Sequence, residues 1–270
     1  MGEVPLSVAS WGKGAPVVLL HSGGMSSRQW RRLGERLAGS WHVLAPDFLG
    51  SGDNPPWPEE QPFEFHQDVE AIAALLGTLP RSAHVVGHSY GGLIAMTLAR
   101  KYPERVRSVA VFDPVTFGVL HRAGDARGLA NLPGAEGQPV LLDDAHGGGD
   151  AWMESFVDYW NGGGSWRAMP EPSRQAFLRV GRKVYYEVRS LMRDRTAAEE
   201  YARIPGPALL LHGERSPLAA RRVVELLQRA MPTASLEGIA GAGHMGPLTH
   251  PGLVNERIAA HLARAESLTG

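Results

Sequence analysis

Six short apolar runs recur along the chain: APVVLL (15–20), WHVLAP (41–46), AHVVG (83–87), VRSVAVF (106–112), PALLLHG (207–213) and ASLEGIAG (234–241). Each is brief and nearly continuous in apolar residues, as expected of a strand covered on both faces of a parallel sheet. Between them, apolar residues recur every three or four positions. SRQWRRLGERLAG (27–39), FHQDVEAIAALLGTL (65–79), GGLIAMTLARKYPERV (91–106), SPLAARRVVELLQRAMP (216–232) and PGLVNERIAAHLARA (251–265) therefore predict helices, the third stopping near Pro103. Strand and helix alternate, so the expected class is α/β: a mostly parallel central sheet with helices on both faces.

Residues 114–204 break that alternation. They carry glycine triplets at 147–149 and 162–164 and a cluster of aromatics: Trp152, Phe156, Tyr159, Trp160, Trp166, Tyr185 and Tyr186. MESFVDYW and SRQAFLRVGRKVYYEVRSLMRD have helical spacing, and a structureless loop of such length is uncommon inside a domain. The expected organisation is a core domain from 1–113 and 205–270, with a mostly helical insertion at 114–204. Aromatics at helical spacing build the core of such an insertion as readily as the wall of a pocket.

Composition narrows the chemistry. Apolar residues make up 43% and charged residues 20% of the 270-residue chain, ordinary values for a globular protein. The formal net charge is -1 with no block of like charge, which points to neither nucleic acid nor an anionic membrane as partner. Without cysteine there is no disulfide, no thiol nucleophile and no thiolate metal site. MGEVPLSVAS lacks the basic-then-apolar shape of a signal peptide, and Leu6 stands where a myristoylation pattern needs Ser or Thr. No run approaches the ~20 apolar residues of a membrane span, so the expected location is the cytoplasm.

AHVVGHSYGGLIAMTLAR (83–100) carries the clearest chemistry. A strand runs into Gly87-His88-Ser89-Tyr90-Gly91 and directly on into a helix. The two glycines permit a tight turn that strains Ser89 and exposes its hydroxyl, at a helix N-terminus that favours developing negative charge. A bare G-x-S-x-G occurs by chance, but here the strand before it and the helix after it supply the confirming context. GAGHMG (241–246) fits a dinucleotide pattern yet lacks the following βαβ unit and the acidic residue ~20 positions on. No Walker, H-E-x-x-H or EF-hand pattern appears, so no cofactor and no metal are expected.

With these pieces in place the chain resembles the α/β-hydrolase fold superfamily, in its cap-bearing branch of serine esterases and related hydrolases. The resemblance covers nearly the whole chain and rests on four motifs in order. LLHSGG (19–24) is similar to the oxyanion loop, with Ser22 where the family usually has Gly. APDFLGSGDN (45–54) resembles the D-x-x-G-x-G loop, the third motif is the Ser89 turn, and IAGAGHMGPLTHP (239–251) resembles the histidine loop. The resemblance implies Ser89 as nucleophile and His244 as the general base that a weakly nucleophilic serine needs. It implies the backbone N–H groups of Gly23 and Tyr90 as oxyanion donors, with Gly24 as a neighbour, each worth roughly 2.7–4 kcal/mol in the transition state. His21 and His88 flank motifs, His212 ends a strand, and His250 lies beyond the loop glycines. These four, and Asp47, read as structural.

The triad acid is the departure. The family usually places it after the strand that follows the cap, as G-x-x-D, but here that position reads Gly213-Glu214-Arg215-Ser216, and serine carries no charge. Some branches place the acid at the end of the preceding strand, where this chain has Asp113 in SVAVFDPV. Asp113 is the expected acid and Glu214 the alternative, with a site that has no working acid as the third reading. Asp before Pro is also an ordinary turn former, and Glu214 an ordinary polar loop residue. Asp143 and Asp144, in the insertion, are weaker candidates.

The resemblance implies a serine hydrolase that cleaves a carboxylic ester, or a similar acyl compound, through an acyl-enzyme. Its expected partner is a small molecule, an apolar or aromatic ester. C–C bond, lactone or amide hydrolysis, perhydrolysis and a cofactor-free lyase use the same machinery. A small-molecule receptor and an interaction scaffold are the non-enzymatic alternatives, and fold alone does not separate them.

Overall fold

A computed structural model of the chain describes residues 6–132 and 139–268. Residues 1–5 (weighed above against a signal peptide), 133–138 of the insertion and 269–270 lie outside the described residues. Among the described residues seven strands form one sheet: β1 (Val8–Trp11), β2 (Ala15–Leu20), β3 (Trp41–Pro46), β4 (Ala83–His88), β5 (Val106–Phe112), β6 (Ala208–Gly213) and β7 (Ser235–Ile239). Their order is β1-β3-β2-β4-β5-β6-β7, with β1 antiparallel to β3 and every other pairing parallel. The six apolar runs supply β2 to β7. β1 was not among them, because VASW is a half-exposed edge strand without a continuous apolar signature.

Helices α1 (Arg31–Leu37), α2 (Phe65–Gly77) and α3 (Tyr90–Lys101) fall within the first half of the sheet, α1 preceded by a 3-10 turn at Ser27–Trp30. Between β5 and β6 come α4 (Gly118–Ala123), α5 (Ala126–Leu129), α6 (Asp150–Asn161), α7 (Ser165–Ala168), α8 (Glu171–Arg179), α9 (Gly181–Arg193) and α10 (Ala198–Tyr201). The chain closes with α11 (Leu218–Ala230), α12 (Gly246–Thr249) and α13 (Pro251–Ser267). Among the described residues no helix is long and apolar enough to cross a membrane.

Strand alternation divides the core into two layers. Val18, Leu20, Val85, Val109, Val111 and Leu210 face α2, α3 and α11. Val17, Leu19, Val86, Ala110, Leu209 and Leu211 face α1 and α13, whose Val254, Ile258 and Leu262 recur every four residues. The insertion has its own apolar cluster, in which Trp152, Met153, Trp166, Val184 and Tyr185 pack with Phe63 of the core. The single helix predicted over 173–194 is two, α8 and α9. They break where Gly181 passes the first glycine triplet, so closely that a Cβ there would stand 2.1 Å from the Gly148 carbonyl oxygen. Apolar spacing continues across the break, so periodicity alone reads through it.

Candidate active site

β4 ends at His88 and α3 begins at Tyr90, leaving Ser89 alone in the turn with φ 54° and ψ -114°. The glycines either side are required by contact. A Cβ on Gly87 would lie 2.2 Å from the Gly91 carbonyl oxygen, and one on Gly91 would lie 2.3 Å from that of Leu20. Asp113, immediately after β5, has φ 44°. It and Ser89 are the only non-glycine residues of positive φ among the described residues. Such conformations cost ~1–3 kcal/mol each and persist where the surroundings impose them. Here the Ser89 amide is held by Phe112 O at 2.9 Å, and the Asp113 amide by Leu211 O at 2.9 Å.

His244 lies between the two strained residues. Its Nε2 is 2.9 Å from Ser89 Oγ and its Nδ1 is 3.1 Å from Asp113 Oδ2. A carboxylate can only accept, so Nδ1 carries the hydrogen and Nε2 is free to accept from the serine hydroxyl. Glu214, the alternative acid, is not brought to this site. It is exposed, its amide donates to Ile239 O at 3.2 Å, and its side chain lies beside Gly238. Ser216, in the position where an acid was expected, is buried and donates its hydroxyl to Asp113 Oδ2 at 2.5 Å. The turn Gly213–Ser216 has left the extended geometry that would have aligned residues 214 and 216. Asp143 bonds His146 and Asp144 pairs with Arg182, both on the surface of the insertion. Asp47 accepts the amides of Ser27 and Asp53, bracing its own loop.

Burial sets the electrostatics. It pushes the His244 imidazole far below its ordinary value, which keeps the ring neutral and able to accept a proton. It also raises Asp113, to about 7, against the lowering effect of the Ser216 hydroxyl, His88, His212 and the Gly213 amide. Trp160 of α6 covers the imidazole, ring centroids 3.7 Å apart and planes at 21°.

Two buried networks escaped the sequence reading. In the first, Gln29 Oε1 accepts the Ser22 amide at 3.0 Å, and Gln29 Nε2 donates to His88 Nδ1 at 3.1 Å. His88 Nε2 then donates to the His244 carbonyl at 2.8 Å. One glutamine thus ties the oxyanion-type loop to the backbone of His244. It also consumes the Ser22 amide. His21 braces the same loop from the other side, its Nδ1 donating to Ser22 O at 2.8 Å and its Nε2 accepting the Phe48 amide at 3.1 Å. In the second network Lys183 of α9 bonds Asp68 of α2 at 2.9 Å and Glu187 one turn along α9, while Tyr90 Oη donates to Asp68 at 2.7 Å. The lysine ammonium also lies 4.5 Å from the centre of the Phe63 ring. The only sequence signal was a Lys–Glu pair four residues apart beside the apolar positions Val184, Val188 and Leu191.

Two cavities meet at Ser89. The outer one, about 530 Å³, is walled by His244, Ser22, Phe156, Trp160, Phe177 and Leu248, among others. The inner one, about 20 Å³, lies against Gly23, Tyr90, Val115, Phe117 and Glu187. The insertion aromatics therefore divide: Phe156 and Trp160 line the site, whereas Trp152, Trp166 and Tyr185 are core. No cluster of residues suited to a metal ion occurs among the described residues.

Comparison with known proteins agrees with this fold. Over 268 residues the chain is 29% identical to a pimeloyl-[acyl-carrier protein] methyl ester esterase of Chromobacterium violaceum, covering 95% of this chain and 98% of that protein. It is 37% identical over 116 residues to the lipase LipV of Mycobacterium tuberculosis, covering 41% and 42% of the two chains. A thermophilic esterase from Thermogutta terrifontis superposes with a TM-score of 0.74 at 21% identity, covering 96% of this chain and 93% of that one, which is a likeness of fold. The family model described as alpha/beta hydrolase fold matches residues 15–251, and the chain belongs to that family of enzymes.

Proposed function

We propose that the protein hydrolyses a carboxylic ester, or a similar acyl compound, with Ser89 as nucleophile, His244 as base and Asp113 as acid. The observation that carries this reading is the continuous hydrogen-bonded chain from Ser89 Oγ through His244 to Asp113. Ser89 Oγ attacks the carbonyl carbon while its proton passes to His244 Nε2, and Asp113 stabilises the imidazolium. The oxyanion is received by the amides of Gly23 and Tyr90. Tyr90 is the first residue of α3, so its amide has no acceptor within the helix. As the C–O bond breaks, Nε2 returns the proton to the departing alkoxide. Water, deprotonated by the same nitrogen, then attacks the acyl-enzyme, releasing the acid and restoring Ser89.

Residues 114–204 act in this scheme as a cap. They bring Trp160 over the imidazole and form much of the outer wall, whose apolar character suits an apolar or aromatic ester of low molecular weight. The esterase and lipase names of the relatives favour ester cleavage over the other reactions of the fold. A fluorophosphonate probe and a panel of p-nitrophenyl esters test it. Wild-type protein is expected to label at Ser89 and turn over activated esters, and Ser89→Ala to do neither. A folded wild-type protein that neither labels nor turns over any ester refutes the proposal.

A further inference from the structure

The two cavities at Ser89 differ in chemistry as well as size. His244 borders the outer one and not the inner one. The leaving alkoxide must collect its proton from His244 Nε2, so the alcohol half of an ester occupies the outer cavity. The acyl half then points inward, past Gly23 and Tyr90. The inner cavity of about 20 Å³ has room for about one water-sized group. Most of its wall is apolar: Val115, Phe117, Val184, Val188 and Leu191.

Glu187 is the exception. It is buried, with Oε1 taken by Lys183 and Oε2 turned toward the oxyanion-type loop, 2.8 Å from where a Cβ on Gly23 would be. The other polar side chain on that wall besides Ser89, Tyr90, has its hydroxyl committed to Asp68. Asp68, Lys183 and Tyr90 are the charged or titratable groups facing Glu187 across α2, α9 and α3. A carboxyl oxygen at the end of a water-sized apolar cavity is a hydrogen-bond acceptor that a plain hydrocarbon acyl group leaves unused.

Building on the hydrolase reading above, we infer that Glu187 is a specificity-determining residue, and that the site takes esters of short acids whose acyl carbon next to the carbonyl bears a hydroxyl or amino donor. The donor occupies the inner cavity and bonds Glu187 Oε2, and the larger apolar alcohol fills the outer cavity. A methyl group in place of the donor fits the same volume but leaves the buried Glu187 Oε2 without a partner, which is the discrimination that polar sites make best.

The test compares 1-naphthyl glycolate with its near-isostere 1-naphthyl propionate, each kcat/KM divided by the rate constant for spontaneous alkaline hydrolysis to remove intrinsic reactivity. Above about pH 7, the value to which burial raises Glu187, wild-type protein is expected to prefer the glycolate by ~10-fold or more, as a hydrogen bond to a charged group implies. Glu187→Leu is expected to bring the corrected ratio to one or below. Glu187→Gln, which keeps a carbonyl oxygen, is expected to retain part of the preference. A role confined to the Lys183 network would change stability without changing the ratio. A corrected ratio near one in wild-type protein, or the same preference in Glu187→Leu, overturns the inference. If Glu187→Leu does not fold, the wild-type ratio and Glu187→Gln decide alone. Propionate turnover with Ser89 labelling but no preference defeats this inference and leaves the hydrolase reading standing. Absence of both labelling and turnover defeats the hydrolase reading instead.

Discussion

Replacing Ser216 by alanine isolates one hydrogen bond at the centre of the charge arrangement. The Ser216 hydroxyl donates to Asp113 Oδ2 at 2.5 Å, within the range of a charge-assisted bond to a carboxylate. Such a bond favours the ionised form and opposes the burial that raises Asp113 to about 7. A hydrogen bond to a charged group contributes about 1.5–3 kcal/mol, and one pKa unit corresponds to about 1.36 kcal/mol, so its loss raises Asp113 by about 1–2 units. Protonated Asp113 cannot stabilise the imidazolium, so activity is lost as pH falls through the Asp113 value. The acid limb of kcat/KM in Ser216→Ala is therefore expected to move upward by those ~1–2 units. At pH 7 the variant should be roughly 5- to 50-fold slower than wild type, approaching wild-type rates above about pH 9.5. The assay is a pH profile of kcat/KM on a p-nitrophenyl ester, corrected for background hydrolysis. An acid limb that stays in place, with activity lowered equally at every pH, would refute the assignment of Ser216 to the charge on Asp113.

Asp113→Asn is expected to lose ~10⁴ in kcat at all pH values, because an amide N–H placed where Oδ2 was donates to His244 Nδ1 and forces the wrong tautomer. Glu214→Gln should be near wild type in the same assay, and the reverse outcome would move the acid to Glu214. Lys183→Met leaves Asp68 and Glu187 buried without their cation and is expected to destabilise by ~3–5 kcal/mol in urea denaturation; a change below ~1 kcal/mol contradicts that placement. Burial lowers His21 and His261 to about 4, and His88 and His244 to about 3. The unfolded chain binds more protons at these four sites, so their stability is complete above about pH 6.5 and is lost as pH falls below it. Asp113 and Glu187, each raised to about 7, shift stability the opposite way over the same range. Four groups outweigh two, so the urea midpoint should be lower at pH 4.5 than at pH 6.5; an equal or higher midpoint would contradict these burials.

The apolar runs and the helical spacing determined the α/β class and six of seven strands, because a buried parallel strand is marked by its own residues and needs no knowledge of its neighbours. The turn at Ser89 was legible for the same local reason. A strand, two glycines and a helix lie within a few residues, and steric contact at Gly87 and Gly91 makes that order necessary. β1 left no such mark, since a half-exposed edge strand is specified by its pairing with β3. The carboxylate that meets His244 was only half legible: sequence showed that Ser216 cannot carry charge and offered Asp113 and Glu214. Adjacent pairing of β5 and β6 then set Asp113 against His244 with Ser216 as its donor, while the turn after Gly213 sent Glu214 to the surface. The Gln29–His88–His244 chain and the Lys183–Asp68–Glu187 cluster were decided by tertiary structure alone. Bonded partners in them lie up to 156 positions apart, and a polar residue shows in sequence only that it can bond, not which buried partner folding will bring within reach.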